Sequence, residues 1–178
     1  MILSLFRKDP LNDAADALFA AVAAQARAPS FYLLLGVEDS VDGRFEMLAL
    51  HVYLLLRRLK SEAGARGLAQ LVFDSFFGNL DSALREMGVG DLSVGRKIRG
   101  LAENFYGRVS AYEKGLSAES NDELVAALSR NVFEATAAPT APALAVYVRE
   151  VDAFLAAQPA GRLIAGVVAF PAPPQEAR

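Results

Sequence analysis

Residues 68–97 read LAQLVFDSFFGNLDSALREMGVGDLSVGRK, and the spacing of their apolar side chains decides the fold. Val72, Phe76, Leu80, Ala83 and Met87 recur at steps of three and four, which predicts a helix from about Leu68 to Met87, roughly 30 Å long. Phe73, Phe77 and Leu84 lie beside that stripe. Gly88 and Gly90 supply a C-cap and a tight corner, and Asp91 or Ser93 is expected to cap the helix after it. That second helix, Val94 to about Leu116, carries the cleanest pattern: Val94, Ile98, Leu101, Phe105, Val109, Tyr112 and Leu116. Ser93, Gly100 and Gly107 recur every seventh residue and leave one side smooth, open to close approach by another backbone. Arg96, Lys97 and Arg99 make its first turns basic. Asp81 and Arg85 form an i,i+4 pair. Asp74 and Asp81 are two turns apart, too far for a catalytic dyad, and are expected to pair with arginines such as Arg44 or Arg57.

Upstream, Asp9-Pro10 is a helix start, because proline in the first turn loses no needed hydrogen bond. Leu11, Leu18, Val22 and Ala26 continue that helix to a stop before Pro29. Phe31 to Leu35 is a short helical segment ended by Gly36. Glu38, Asp39 and Asp42 crowd the next loop without the register of a calcium loop, and Asp42 is expected to be an N-cap. Arg44 to about Ser61 is apolar nearly all round, the mark of a buried central helix. Arg44, His51 and Arg58 line one side of it. Downstream, Ser120-x-x-Glu123 has the form of a capping box opening a helix to about Glu134. Ala135 to Ala143 is a linker by composition, and Leu144 to about Ala157 is another helix. Arg162 to Phe170 is ambiguous between a helical turn and an extended segment. These elements predict an all-α fold, one domain of six to seven helices packed in two layers. It would span residues 11–170, between an arm at 1–10 and a flexible tail at 171–178.

Composition narrows the chemistry. The chain has 178 residues, 53% of them hydrophobic, with no cysteine, one histidine and a net charge of −3. Thiolate chemistry and His-rich metal sites are thereby excluded. His51 is expected to be hydrogen-bonded beside the core, and the Gly88-Val-Gly90 pair lacks the strand and third glycine of a dinucleotide loop. No catalytic, metal or cofactor set emerges, so an enzyme is not expected. Residues 57–114 hold ten Lys/Arg against seven Asp/Glu, a mildly basic middle in an acidic chain. Sequence-specific nucleic-acid binding does not fit that balance. No apolar run approaches the ~20 residues of a spanning helix, so the expectation is a soluble protein, at most peripheral to a membrane. The remaining signal is aromatic. Phe76 and Phe105 fit the core, while Phe73 and Phe77 sit off its centre and are candidates for partial exposure beside Tyr106.

FEMLALHVYLLLRRL, LAQLVFDSFFGNLDSALREMGVGDLSVGRKI and ENFYGRVSAY together closely resemble the ubiquinol–cytochrome c chaperone family. The likeness runs from Pro29 to Tyr112, is sharpest over Leu84 to Asp91, and departs from the family at Glu38 in Gly36-Val37-Glu38-Asp39. It implies an all-helical, non-enzymatic assembly factor for the cytochrome bc complex that binds newly made cytochrome b and works in the cytoplasm or at the cytoplasmic face of the inner membrane. A small partner chaperone or a ribosome contact is a possibility it leaves open. A holder of such a client needs an apolar groove with a charged rim. Helical phase alone places that groove between the helices bearing Phe73/Phe77 and Gly100/Gly107, with Arg44, Arg58, Asp74, Asp81, Arg85 and Arg96 as rim. Two rival readings use the same residues differently. One is a carrier of a small apolar ligand such as an isoprenoid or quinone. The other is a membrane-associated scaffold touching lipid through Ile2, Leu3, Leu5, Phe6 and Arg7-Lys8.

Overall fold

The computed structural model describes residues 9–175. Ile2, Leu3, Leu5, Phe6 and Arg7-Lys8 lie outside them. Six long helices and two single-turn ones follow in order. They are α1 (Pro10–Ala26), α2 (Pro29–Leu33), α3 (Val41–Lys60), α4 (Arg66–Glu86), α5 (Asp91–Ser117), α6 (Asp122–Val132), α7 (Ala141–Ala157) and α8 (Ala160–Ile164). The all-α architecture is the one the periodicities predict. Asp9 caps α1 by accepting from the Leu11 amide, with Pro10 as the first helical residue.

Helix α3 is the axis. Fourteen of its 20 residues are buried, and α1, α4, α5, α6 and α7 all pack against it. Those five helices also touch in succession from α1 through α4, α5 and α6 to α7, and Gln25 of α1 bonds Tyr147 of α7, so they ring it. Each large aliphatic side chain sealed inside contributes about 1.5–3 kcal/mol, and α3 alone places Leu50, Val52, Leu54, Leu55 and Leu59 there. Polar ties at its flanks set the ring's register. Arg57 reaches Glu113 on α5 at 3.2 Å and Asp152 on α7 at 2.9 Å. Glu46 is buried against the Arg108 guanidinium of α5, and Arg108 also lies 5.6 Å over the Phe45 ring.

The buried polar groups of α3 are satisfied, and one of them corrects the sequence reading. His51 is fully buried, with Nδ1 2.7 Å from the Met47 carbonyl. A carbonyl can only accept, so Nδ1 carries the proton and Nε2 accepts from the Tyr147 hydroxyl at 2.9 Å. Tyr147 in turn accepts from Gln25, whose amide also donates to the Pro171 carbonyl. One chain of hydrogen bonds thus joins α3, α7, α1 and the C-terminal segment. Arg58 was expected on a client-facing rim and is instead buried. Its Nε donates to the Leu155 carbonyl and Nη2 to that of Gln158, both at 2.9 Å, so it closes the open end of α7. Arg149 does the same for α5, donating to the carbonyls of Gly115, Leu116, Ala118 and Ser120 and to the Asn121 side chain.

Several helix starts differ from expectation for local reasons. Ser40, not Asp42, caps α3, accepting from the Gly43 amide. Gly90 precedes α5, so Asp91 and Ser93 fall inside the helix. The Ser120/Glu123 box does not form, because Arg149 claims the turn before α6 and Glu123 pairs with Lys114 at 2.9 Å. The alanine-rich linker is pinned, with Ser129 Oγ accepting from the Ala138 amide and Thr140 donating to the Leu35 carbonyl. After α8 the chain runs without regular structure and is held by Gln158, which both donates to and accepts from Ala169.

The smooth line of α5 also behaves differently. Nothing lies within 4 Å of a Cβ built on Gly100 or Gly107, whereas one on Gly115 would sit 2.7 Å from Leu124 Cα. Close backbone approach therefore occurs at Gly115, against α6. Gly115→Ala is expected to lower stability in urea unfolding by about 1–3 kcal/mol, because backbone must move. Gly107→Ala should raise it by up to about 1 kcal/mol through helix propensity. Arg149→Ala should cost about 2–3 kcal/mol by orphaning the end of α5.

Burial pulls the His51 pKa from 6.5 down to about 4, opposed by the Met47 hydrogen bond. The unfolded chain therefore binds the proton first. The contribution of His51 is constant above pH 6.5 and disfavours folding between pH 6.5 and 4, a loss on the order of 3 kcal/mol when complete. Urea unfolding across that pH range measures it, and the slope should be reduced in His51→Gln, which removes the chain's single histidine.

Candidate functional site

The apolar stripes of α4 and α5 are longer than the core they face. On α4 the buried residues are Leu68, Ala69, Val72 and Phe76, all in its N-terminal half. Beyond them Leu80, Ala83 and Leu84 are only half-buried and Met87 is 53% exposed. The α4 stripe that predicts the helix thus runs past the core, with Leu80 at the core's edge and Met87 beyond it. On α5 the residues that join the main core begin at Phe105, and Ile98 and Leu101 upstream are half-buried. Between these surplus stretches and the facing ends of α1 and α3 opens a cleft of about 600 Å³.

Three helices contribute faces with a common spacing. Val41, Arg44, Phe45 and Leu48 come from α3, Leu80, Ala83, Leu84 and Met87 from α4, and Lys97, Gly100, Leu101 and Asn104 from α5. Each set is i, i+3, i+4, i+7, one face two turns long. Ala23, Ala26 and Arg27 of α1 close the fourth side. The walls are therefore mainly aliphatic, with Phe45 as the aromatic side. Arg27, Arg44, Lys97 and Asp42 are the charged lining groups. Arg44 Nε holds Asp39 at 2.6 Å, and that hydrogen bond keeps the Asp39 carboxyl below its ordinary range.

Of the residues expected to form a binding surface, the cleft gathers Arg44 and Gly100. The others lie elsewhere. Phe73 and Phe77 pack 4.6 Å apart, centroid to centroid, and 6.0 and 6.2 Å from Phe105, as a half-buried aromatic cluster that also touches Tyr106. Tyr106 is 59% exposed, so an apolar aromatic edge does reach solvent there, outside the cleft. Asp74 accepts from Gln70 at 2.8 Å, not from an arginine of α3. Asp81 pairs with Arg85 at 2.6 Å as the spacing predicts, and Arg85 also bonds Asp91, stapling the α4–α5 corner. Arg96 is exposed and makes no ion pair among the described residues, while Gly107 faces open space. Arg58 belongs to the end of α7. The sequence reading missed Arg27, Lys97 and the Leu80–Leu84–Leu101 wall. The wall's signal lies in the second half of the α4 stripe and the first half of the α5 stripe, but a stripe does not say where the core ends.

Among the described residues no cluster of His, Cys, Asp or Glu is arranged to hold a metal ion, and no helix is long and apolar enough to cross a membrane. The arrangement has the attributes of a surface that accepts an apolar body: a greasy trough, open to solvent, with cations along its margin.

Comparison with known proteins agrees with the architecture. A crystal structure of the Cbp3 homolog from Brucella abortus superposes with a TM-score of 0.85 at 38% identity, covering 97% of each chain. Ubiquinol-cytochrome-c reductase complex assembly factor 1 of Xenopus laevis is 25% identical over 104 residues, 58% of this chain and 52% of that protein. Its Drosophila melanogaster counterpart is 27% identical over 124 residues, 66% of this chain and 47% of that one. The chain thus spans about half the length of these relatives. The family model for ubiquinol-cytochrome c chaperones matches residues 34–170, the central helix α3 and everything after it through α8, and the chain belongs to that family.

Proposed function

We propose that this protein is an assembly chaperone for ubiquinol–cytochrome c reductase, and that it holds an apolar helix of newly made cytochrome b in the cleft between α1, α3, α4 and α5. The observation that carries the reading is the surplus apolar length of α4 and α5. Leu80, Leu84 and Leu101 line an open trough at helical spacing, and each is only half-buried, although Leu80 also packs against the edge of the core. Apolar side chains left at a trough's wall gain about 25 cal/mol per Å² when a partner covers them. An incoming amphipathic or apolar helix presents the same i, i+3, i+4, i+7 spacing as the walls. Nothing in this mode requires a reactive group; binding and release are enough. Action at the cytoplasmic face of the membrane, where such a client emerges, is part of the proposal.

A cleft of about 600 Å³ is also within the range of small-molecule sites, so an isoprenoid or quinone carrier is the second reading. Native mass spectrometry of the purified protein separates the two. A carrier retains a stoichiometric lipid, and the proposed chaperone emerges empty.

Gly100→Leu tests the main reading without threatening the fold. The position lines the cleft and has no atom within 4 Å of an added Cβ, so leucine fills the trough while improving helix propensity. Capture of cytochrome b from a cell-free synthesis reaction should fall at least severalfold, with melting temperature unchanged or raised. Gly107→Leu, equally open but outside the cleft, should capture normally. Full capture by Gly100→Leu would remove the cleft from the function.

A further inference from the structure

The charges along the cleft are not evenly placed. Beyond the main trough lies a second depression of about 330 Å³, lined by Pro29, Tyr32, Leu33 and Asp39, and the two share Arg27 and Arg44. These arginines form a cationic sill between two apolar hollows. Tyr32 donates to the Ala26 carbonyl at 3.0 Å, which fixes the wall beyond the sill, and Leu33 stands 81% exposed at its edge. Arg27 makes no ion pair among the described residues, and neither does Lys97 across the trough. Arg44 engages Asp39 through Nε alone, so its terminal nitrogens donate to nothing among the described residues. Against these three cations the two hollows offer two carboxylates, Asp42 in the trough and Asp39, which Arg44 already holds, so the lining keeps a net positive charge.

Resting on the helix-holding role proposed above, we infer that the cleft reads polarity: it accepts an apolar helix with an aspartate or glutamate at one end, seated on the Arg27/Arg44 sill, and discriminates against a helix whose flank at that end is basic. The chemistry comes from the sill. The Arg27 guanidinium, without an ion pair among the described residues, offers forked donors to a carboxylate in two-point contact. A partner's lysine or arginine there would meet a lining that stays net positive after Asp39 and Asp42 are counted. The trough's aliphatic walls cannot make this choice, because every apolar helix satisfies them. The choice has consequences for a membrane-protein client. Membrane helices carry an excess of Lys/Arg at their cytoplasmic ends and lack it at the other. A basic sill therefore engages the less basic end of a spanning segment and leaves its basic end free.

The test uses fluorescein-labelled Leu/Ala helices of roughly 20 residues, identical except for paired Glu, Gln or Lys at one end, titrated into the full chain and followed by anisotropy. The Glu helix should bind about tenfold more tightly than the Gln helix, and the Lys helix more weakly than either, with the spread shrinking as salt rises. Arg27→Glu, checked for an unchanged melting temperature, should reverse the order, and Arg44→Gln should flatten it. Equal affinities for all three peptides, or preference for Lys, would overturn the inference while leaving helix holding intact. Failure of every peptide to bind would overturn it together with the helix-holding role.

Discussion

A helix that is apolar on every side cannot be left with a bare face, and that constraint on α3 organises the rest of the molecule. Five helices surround it, and the polar groups it carries are each answered by a neighbour: His51 by Tyr147, Glu46 by Arg108, Arg57 by Glu113 and Asp152. The ring is fixed in register by these pairs, and the close approach at Gly115 brings α6 tight against α5. The unusual feature is what happens where the ring outruns its axis. The distal half of α4 and the proximal half of α5 keep their apolar spacing after the core has ended. The cleft is the consequence.

Arg58 and Arg149 explain how the remainder stays rigid enough to hold that cleft open. Each inserts a guanidinium into the C-terminal end of another helix, where unpaired carbonyls and the negative end of the helix dipole converge. Each fixes a corner of the bundle with donors that a lysine could not array in the same fork. Both corners lie away from the trough. The scaffold and the lining of the cleft are thus drawn from different residues, although Arg44 and Arg58 share one side of α3 in sequence.

The helices themselves were legible because stripes at three- and four-residue steps, proline at the first turn of α1 and glycine after α4 are local signals. So was the burial of His51, from the apolar residues that flank it. The caps were less legible, because Ser120, Asp42 and Asp91 were judged by residue type, and the positions were decided by the partners Arg149, Gly43 and Gly90. The site was half legible. Of the residues expected at a binding surface, Gly100 and Arg44 line the proposed cleft, whereas the offset of Phe73 and Phe77 from the stripe's centre turns them towards Phe105 and Tyr106. Leu80, Leu84 and Leu101 were passed over because they fitted the stripe. Periodicity identifies a face that wants cover, and only the packing of the other helices says whether the chain itself supplies the cover.

The central claim is that the surplus halves of α4 and α5 exist to be covered by a partner. Amide hydrogen exchange of the chain, alone and mixed with a cytochrome b transmembrane peptide, measures this directly. The account predicts slowed exchange concentrated in residues 80–104 and at the facing turns 23–27 and 41–48, with α6 and α7 unchanged. Protection confined to the Phe73–Tyr106 edge, or to α6 and α7, would contradict it.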